Sequence, residues 1–110
     1  MARKAFDKLL LEAVDEALAS LGDSAKKSIY FHLEDKFEIA RSEIPRRLAD
    51  FADGLEKIFG AGAQFLEILI MKKLYERIRK PLGWDESEEF VFIEYVAAAR
   101  SSFLKEQKRS

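Results

Sequence analysis

The chain has 110 residues, enough for one domain with its own core and too few for two of ordinary size. Its 48% hydrophobic and 35% charged residues describe a globular chain rather than a disordered tail, and a formal net charge of -1 supplies no global attraction to nucleic acid or an anionic bilayer. The absence of cysteine removes disulfides, thiolate nucleophiles and thiolate metal sites together.

From Lys4 to Leu21, apolar residues at Phe6, Leu9, Leu10, Ala13, Val14, Ala17 and Leu21 follow the three-and-four spacing of one helical stripe. Glu12, Asp15 and Glu16 interrupt what would have to be the apolar region of a signal peptide, and no stretch approaches the roughly 20 apolar residues of a membrane span. The expected compartment is the cytoplasm, with no membrane partner. Gly22 offers a left-handed exit from the first helix, and Asp23 or Ser24 an acceptor for the opening amides of the next.

A second helix is predicted from about Ser24 to Phe37, with Ile29, Tyr30, Leu33 and Phe37 along one side. Ser42 is a candidate cap for a further turn through Glu43, Ile44 and Pro45, a turn in which proline's missing amide costs little. Leu48, Phe51, Ala52, Leu55, Ile58 and Phe59 then repeat with helical spacing up to Gly60. Gly60 and Gly62 leave almost no chain for the connection, so a sharp turn with positive φ at one or both is expected. A fourth helix, from about Ala63 to Arg79, opens with FLEILIM, apolar around most of its circumference and so central. Lys72, Lys73, Arg77, Arg79 and Lys80 complement its dipole, and Pro81 and Gly83 stop it.

Asp85, Glu86, Ser87, Glu88 and Glu89 place acceptors and negative charge where a fifth helix is expected to open and run to about Lys105. FVFIEYV contains strand-favouring residues, but it lacks alternation and a strand partner. The predicted fold is therefore all-α: a single compact domain over residues 1–110, ordered from about 4 to 105, with about five helices, a central apolar fourth and a short loose C-terminal tail, KEQKRS. The lack of Asn and Thr, only two Gln and abundant mixed charge match the composition of proteins adapted to high temperature.

The stretch YFHLEDKFEIARSEIP followed by FADGLEKIFGAGAQFLEILIMKKLYE resembles a family of small archaeal helical domains, one of the Nitrosopumilus output domains, formerly a domain of unknown function. The resemblance rests on Tyr30, Leu33, Phe37, Ile44, Pro45, Phe51, Leu55, Ile58, Phe59, Gly60, Gly62, Ala63, Leu66, Glu67 and Ile70 and covers about residues 9 to 79. Similar sequences often carry proline between the two glycines, where this chain has Ala61, and the fifth helix lies outside the match. The resemblance implies an output or interaction module, alone or fused to signalling proteins, and brings no catalytic residues. Its marks are fold signatures and do not establish an activity.

His32, the single histidine, has Asp35 and Lys36 as helical neighbours, which gives one carboxylate where a zinc or iron site would need about two further ligands. It reads as a half-exposed helix residue. Glu34, Asp35 and Glu38 read as a solvated face, because paired acid and base work needs a cleft that separates their pKa values. FGAGA lacks the Gly-Lys-Ser/Thr ending of a phosphate loop and follows a helix rather than a strand. The chain is thus not expected to be an enzyme, and no catalytic, cofactor or metal residues are assigned. Basic clusters at Arg41, Arg46 and Arg47, and from Lys72 to Lys80, leave a DNA-binding transcriptional regulator as the alternative function, although no helix-turn-helix signature accompanies them.

The fifth helix carries a surplus of apolar residues. Phe92, Tyr95, Ala99 and Phe103 form one stripe, and Phe90, Ile93 and Ala97 a second, displaced around the helix. One stripe is expected to face the fourth helix and the other a second copy of the chain, in a homodimer. Phe90, Phe92, Ile93, Tyr95, Val96, Ala99 and Phe103 are accordingly the predicted interaction residues, and Pro45, Gly60 and Gly62 the structural turns. The expected function is non-enzymatic: protein-protein interaction or signalling output, with a signalling protein as a further partner.

Overall fold

The α1 helix (Ala2–Ala19) buries Phe6, Leu10, Ala13, Val14, Ala17 and Leu18 completely. That stripe continues the spacing read above but adds Leu18 and omits Leu21, which lies beyond the helix end and is 47% exposed. The computed structural model describes residues 2–84 and 89–109. After α1 come α2 (Asp23–Phe37), a 3-10 segment (Arg41–Arg46), α3 (Leu48–Phe59), a 3-10 turn (Gly60–Gly62), α4 (Ala63–Ile78) and α5 (Phe92–Arg109). The fold is all-α, with five α-helices and no strand among the described residues.

The centre is shared by α1 and α4, which make the most extensive helix pair. Arg77 Nη1 meets Glu16 at 2.6 Å and its Nε meets Glu12 at 3.6 Å, while Lys73 reaches Glu16 at 3.4 Å. Residue numbers rise along one helix as they fall along the other, so the two run antiparallel. Around them, α2 and the 3-10 segment pack on α1, α3 packs on α4, and α5 lies across both central helices. In α4, Leu66, Ile70, Met71, Leu74, Tyr75 and Ile78 enter the core.

Turn chemistry fixes how these helices meet. Gly22, at φ 106° and ψ 151°, occupies a region open to glycine, and its carbonyl accepts from Lys26 N–H at 3.0 Å to open α2. Neither Asp23 nor Ser24 caps with its side chain, a correction to the expected acceptor. The next turn departs from expectation in the same way. Ala40 N–H donates to Glu43 Oε1 at 2.9 Å while Glu43 N–H donates to the Ala40 carbonyl at 2.9 Å, so Glu43 rather than Ser42 opens the 3-10 segment.

Pro45 is buried in that segment. Gly60 has φ 60° and ψ -132°, whereas Gly62 has φ -69° and ψ -16°, so the sharp connection between α3 and α4 needs positive φ at the first glycine alone. Two non-glycine residues, Glu38 and Arg79, hold left-handed conformations just past α2 and α4. In each case the following amide reaches back into the last turn of the helix: Ile39 N–H to the Leu33 carbonyl, six residues earlier, at 3.0 Å, and Lys80 N–H to the Tyr75 carbonyl, five residues earlier, at 3.1 Å.

The start of α5 is later than the charge pattern suggests. Asp85 to Glu88 lie outside the described residues, and Glu89, Phe90 and Val91 precede the helix. Tyr95 N–H donates to the Val91 carbonyl, and the Phe90 ring stacks on Tyr95 with centroids 5.4 Å apart. This pairing of the residue before the cap with the fourth helical residue is a hydrophobic staple, which sets the entry angle of the chain. At the other end α5 continues through Lys105 to Arg109, so the expected loose tail is helical over those residues.

Candidate interaction surfaces

The structure divides the predicted residues of α5 between core and surface. Phe92, Val96 and Ala99 are buried in the chain's own core. Phe92 packs its ring 6.4 Å from Phe51, and Phe103, half-buried, lies 5.8 Å from Phe6. These four face inward and are closed to a partner in this fold, Phe103 in part. Tyr95 is half-buried between the Phe90 ring and α4, where its carbonyl accepts from Tyr75 O–H at 2.8 Å. Trp84 meets Phe90 edge-on at 5.5 Å. Of the seven predicted positions, Ile93 is the exposed one, at 42%, next to exposed Ala97 one turn on.

The larger uncovered apolar surface lies on α4. Phe65 is 79% exposed, the highest value among the large hydrophobic residues. Ile68 and Leu69, three and four residues on, flank it on the same side and are only half-buried. Lys72 and Glu76 continue this outward face in charged form. The FLEILIM run is thus apolar around most of its circumference, as read, but the side that carries Phe65 is left open to solvent.

A second feature is the groove of about 760 Å³ between the end of α3 and the start of α4, with Glu56, Lys57, Ala61, Gln64, Glu67 and Phe90 among its walls. Burial, reinforced by the neighbouring charge of Glu56, raises the Glu67 carboxyl above its ordinary range. Lys57 pairs within the groove, at 3.2 Å from Asp53 of the same wall.

Most cations of the two basic clusters are used internally. Arg41 binds Asp15 through two bonds, Nε at 2.9 Å and Nη2 at 2.5 Å, and Tyr30 O–H donates to the same carboxylate at 2.5 Å. Arg47 spans Asp50, Glu43 and the Glu38 carbonyl. Lys73 and Arg77 pair with α1, and Lys80 with Glu106. His32 is exposed, edge-on to exposed Phe31 at 6.3 Å. Among the described residues no group of three or more His, Asp or Glu is placed to hold a metal ion, and no helix is long and apolar enough to cross a membrane.

No family model, curated protein or solved structure matches this chain.

Proposed function

We propose that this chain is a non-enzymatic protein-protein interaction module of the signalling-output kind, and that it pairs with a second copy of itself. The observation that carries the reading is the open face of α4, where Phe65 stands almost fully in water between Ile68 and Leu69. A large aromatic flanked by aliphatic side chains on a regular helix is what a helix-helix interface requires, and hydrophobic anchors of this sort carry most of the energy in such contacts. The same helix is held rigidly on its inner side by α1, α3 and α5, so the face is presented without an ordering cost. Compared with the expected α5 stripe, the contact moves to α4, with Ile93 as the residue α5 still offers. The cross-helix ion pairs of Glu12 and Glu16 with Lys73 and Arg77 support a heat-adapted chain, because charge desolvation costs less at high temperature.

Sedimentation equilibrium tests the pairing. The native chain is expected to run as a dimer, and Phe65→Glu as a monomer with unchanged helical circular dichroism. A native chain that stays monomeric at high concentration removes the self-pairing.

A further inference from the structure

Arg3, Arg46 and Arg100 line one open cavity of about 270 Å³, together with Asp7 and Pro45. The three come from different parts of the fold: Arg3 from the first turn of α1, Arg46 from the end of the 3-10 segment, and Arg100 from α5. Like charges gathered in one concavity repel unless something answers them. Arg41 is answered by Asp15, Arg47 by Glu43 and Asp50, and Arg77 by Glu12 and Glu16, whereas Arg79 stands exposed by itself rather than in a cluster. Here no ion pair among the described residues reaches Arg3, Arg46 or Arg100, and the one carboxylate, Asp7, leaves a formal surplus of two positive charges in the cavity.

Arg100 is fixed in place. Its guanidinium lies over the Phe6 ring, 5.3 Å from the centroid, and its Nη2 donates to the Pro45 carbonyl at 3.3 Å. That bond uses one of about five N–H donors. Arg3 and Arg46 are exposed and free to swing onto a ligand. The 18-residue α1 begins at the same cavity and adds the positive end of its dipole, a supporting contribution to the same sign of field.

We propose that the Arg3–Arg46–Arg100 cavity binds the phosphate group of a small soluble phosphate monoester. Guanidinium forks match phosphate oxygens in geometry, and a phosphate monoester carries about two negative charges at neutral pH, the amount the cavity lacks. The volume suits one such group with a short organic residue. Duplex DNA would instead need a long basic track, and most of the neighbouring cations are already paired. The site is independent of the α4 face and of the pairing proposed there.

The test is a titration of the full-length, nitrogen-15-labelled chain with inorganic phosphate and with glycerol 3-phosphate, at constant ionic strength, following the arginine Nε–H resonances. Saturable shifts at Arg3, Arg46 and Arg100 are expected, tightening as pH rises from about 5.5 to about 7.5 while the ligand takes its second charge. Arg3→Gln and Arg46→Gln, both at exposed positions, should each weaken binding about tenfold with unchanged melting temperature. Equal, non-saturating shifts with sodium chloride would overturn the proposal, as would binding that persists in the Arg3→Gln/Arg46→Gln double variant. Displacement of phosphate by duplex DNA, with steep salt dependence and shifts spread over Lys72 to Lys80, would also overturn it in favour of an extended nucleic-acid surface.

Discussion

Gly54 of α3 sits directly against Leu33 of α2: a Cβ on Gly54 would lie 2.9 Å from Leu33 Cδ2 and 3.5 Å from the Phe37 ring. Leu33 is fully buried, so its Cδ2 can give way only by repacking against core neighbours. Alanine at this position gains about 0.8–1.0 kcal/mol of helix propensity but incurs an overpacking cost of about 1–3 kcal/mol. Gly54→Ala should therefore lower stability by about 1 kcal/mol in chemical denaturation. A raised midpoint would show that α2 and α3 separate freely.

Gly60 and Gly62 should respond oppositely to alanine. Nothing lies near a Cβ at Gly60, so space is no obstacle there, but its φ of 60° is a conformation that L residues rarely adopt. Gly60→Ala should cost about 1 kcal/mol or more. Gly62, with ordinary helical angles and Phe59 Cβ at a comfortable 3.8 Å, should tolerate alanine or gain about 0.4–1 kcal/mol from a less flexible unfolded chain. Thermal melts of the two variants would separate the effects.

Glu38 holds a left-handed conformation with its charge at the negative end of the α2 dipole. Glycine there relieves both penalties and keeps the backbone bonds of Glu38 and Ile39 to the end of α2. Glu38→Gly should raise stability by about 0.5–1 kcal/mol, read as a higher denaturation midpoint. A loss would mean that the side chain makes a favourable contact.

Burial alone would raise the Asp15 carboxyl, but hydrogen bonds from Arg41 and Tyr30 and the nearby positive charges outweigh it, and the group is held below its ordinary value. A carboxyl depressed in the folded state contributes stability above its unfolded pKa and loses it as pH falls through the folded value. Asp15→Asn should cost about 1 kcal/mol at neutral pH, discounted for partial exposure, and should flatten the acid side of the stability profile. A profile with unchanged slope would show that Asp15 keeps its ordinary affinity for a proton.

Glu67 works in the reverse sense. Its carboxyl is raised by burial and then by Glu56, so the folded state holds that proton more tightly than the unfolded chain does. Its contribution is full below the unfolded carboxyl pKa and is lost as pH rises through the folded value. Glu67→Gln should consequently be more stable than the native chain at neutral pH, with the difference vanishing in acid. Urea midpoints at several pH values would reveal it.

The stripes of α1, α2 and α3 were legible in the sequence because helical periodicity is a local property: Phe6, Leu10, Ala13 and Val14, then Ile29 and Leu33, then Phe51 and Leu55, recur at intervals that only a helix aligns, and all are buried. Leu21 shows the limit of that reading. The spacing continues past Ala19, but the helix does not, and the side chain is left at the surface.

Where a helix is apolar on more than one side, periodicity names the stripes without choosing between them. The choice on α5 fell to its neighbours: Phe51 and Phe6 receive Phe92 and Phe103, so the set of Phe92, Val96, Ala99 and Phe103 turned inward and Ile93 outward. On α4 the inner arc was taken by α1, α3 and α5, and Phe65 was left in water because no further helix packs over it among the described residues. The Arg3, Arg46 and Arg100 cavity has no local pattern at all. Its members lie far apart in the chain and meet only because α5 crosses α1 beside the buried Pro45 turn, a relation set by how the helices stack and invisible to the spacing of any one of them.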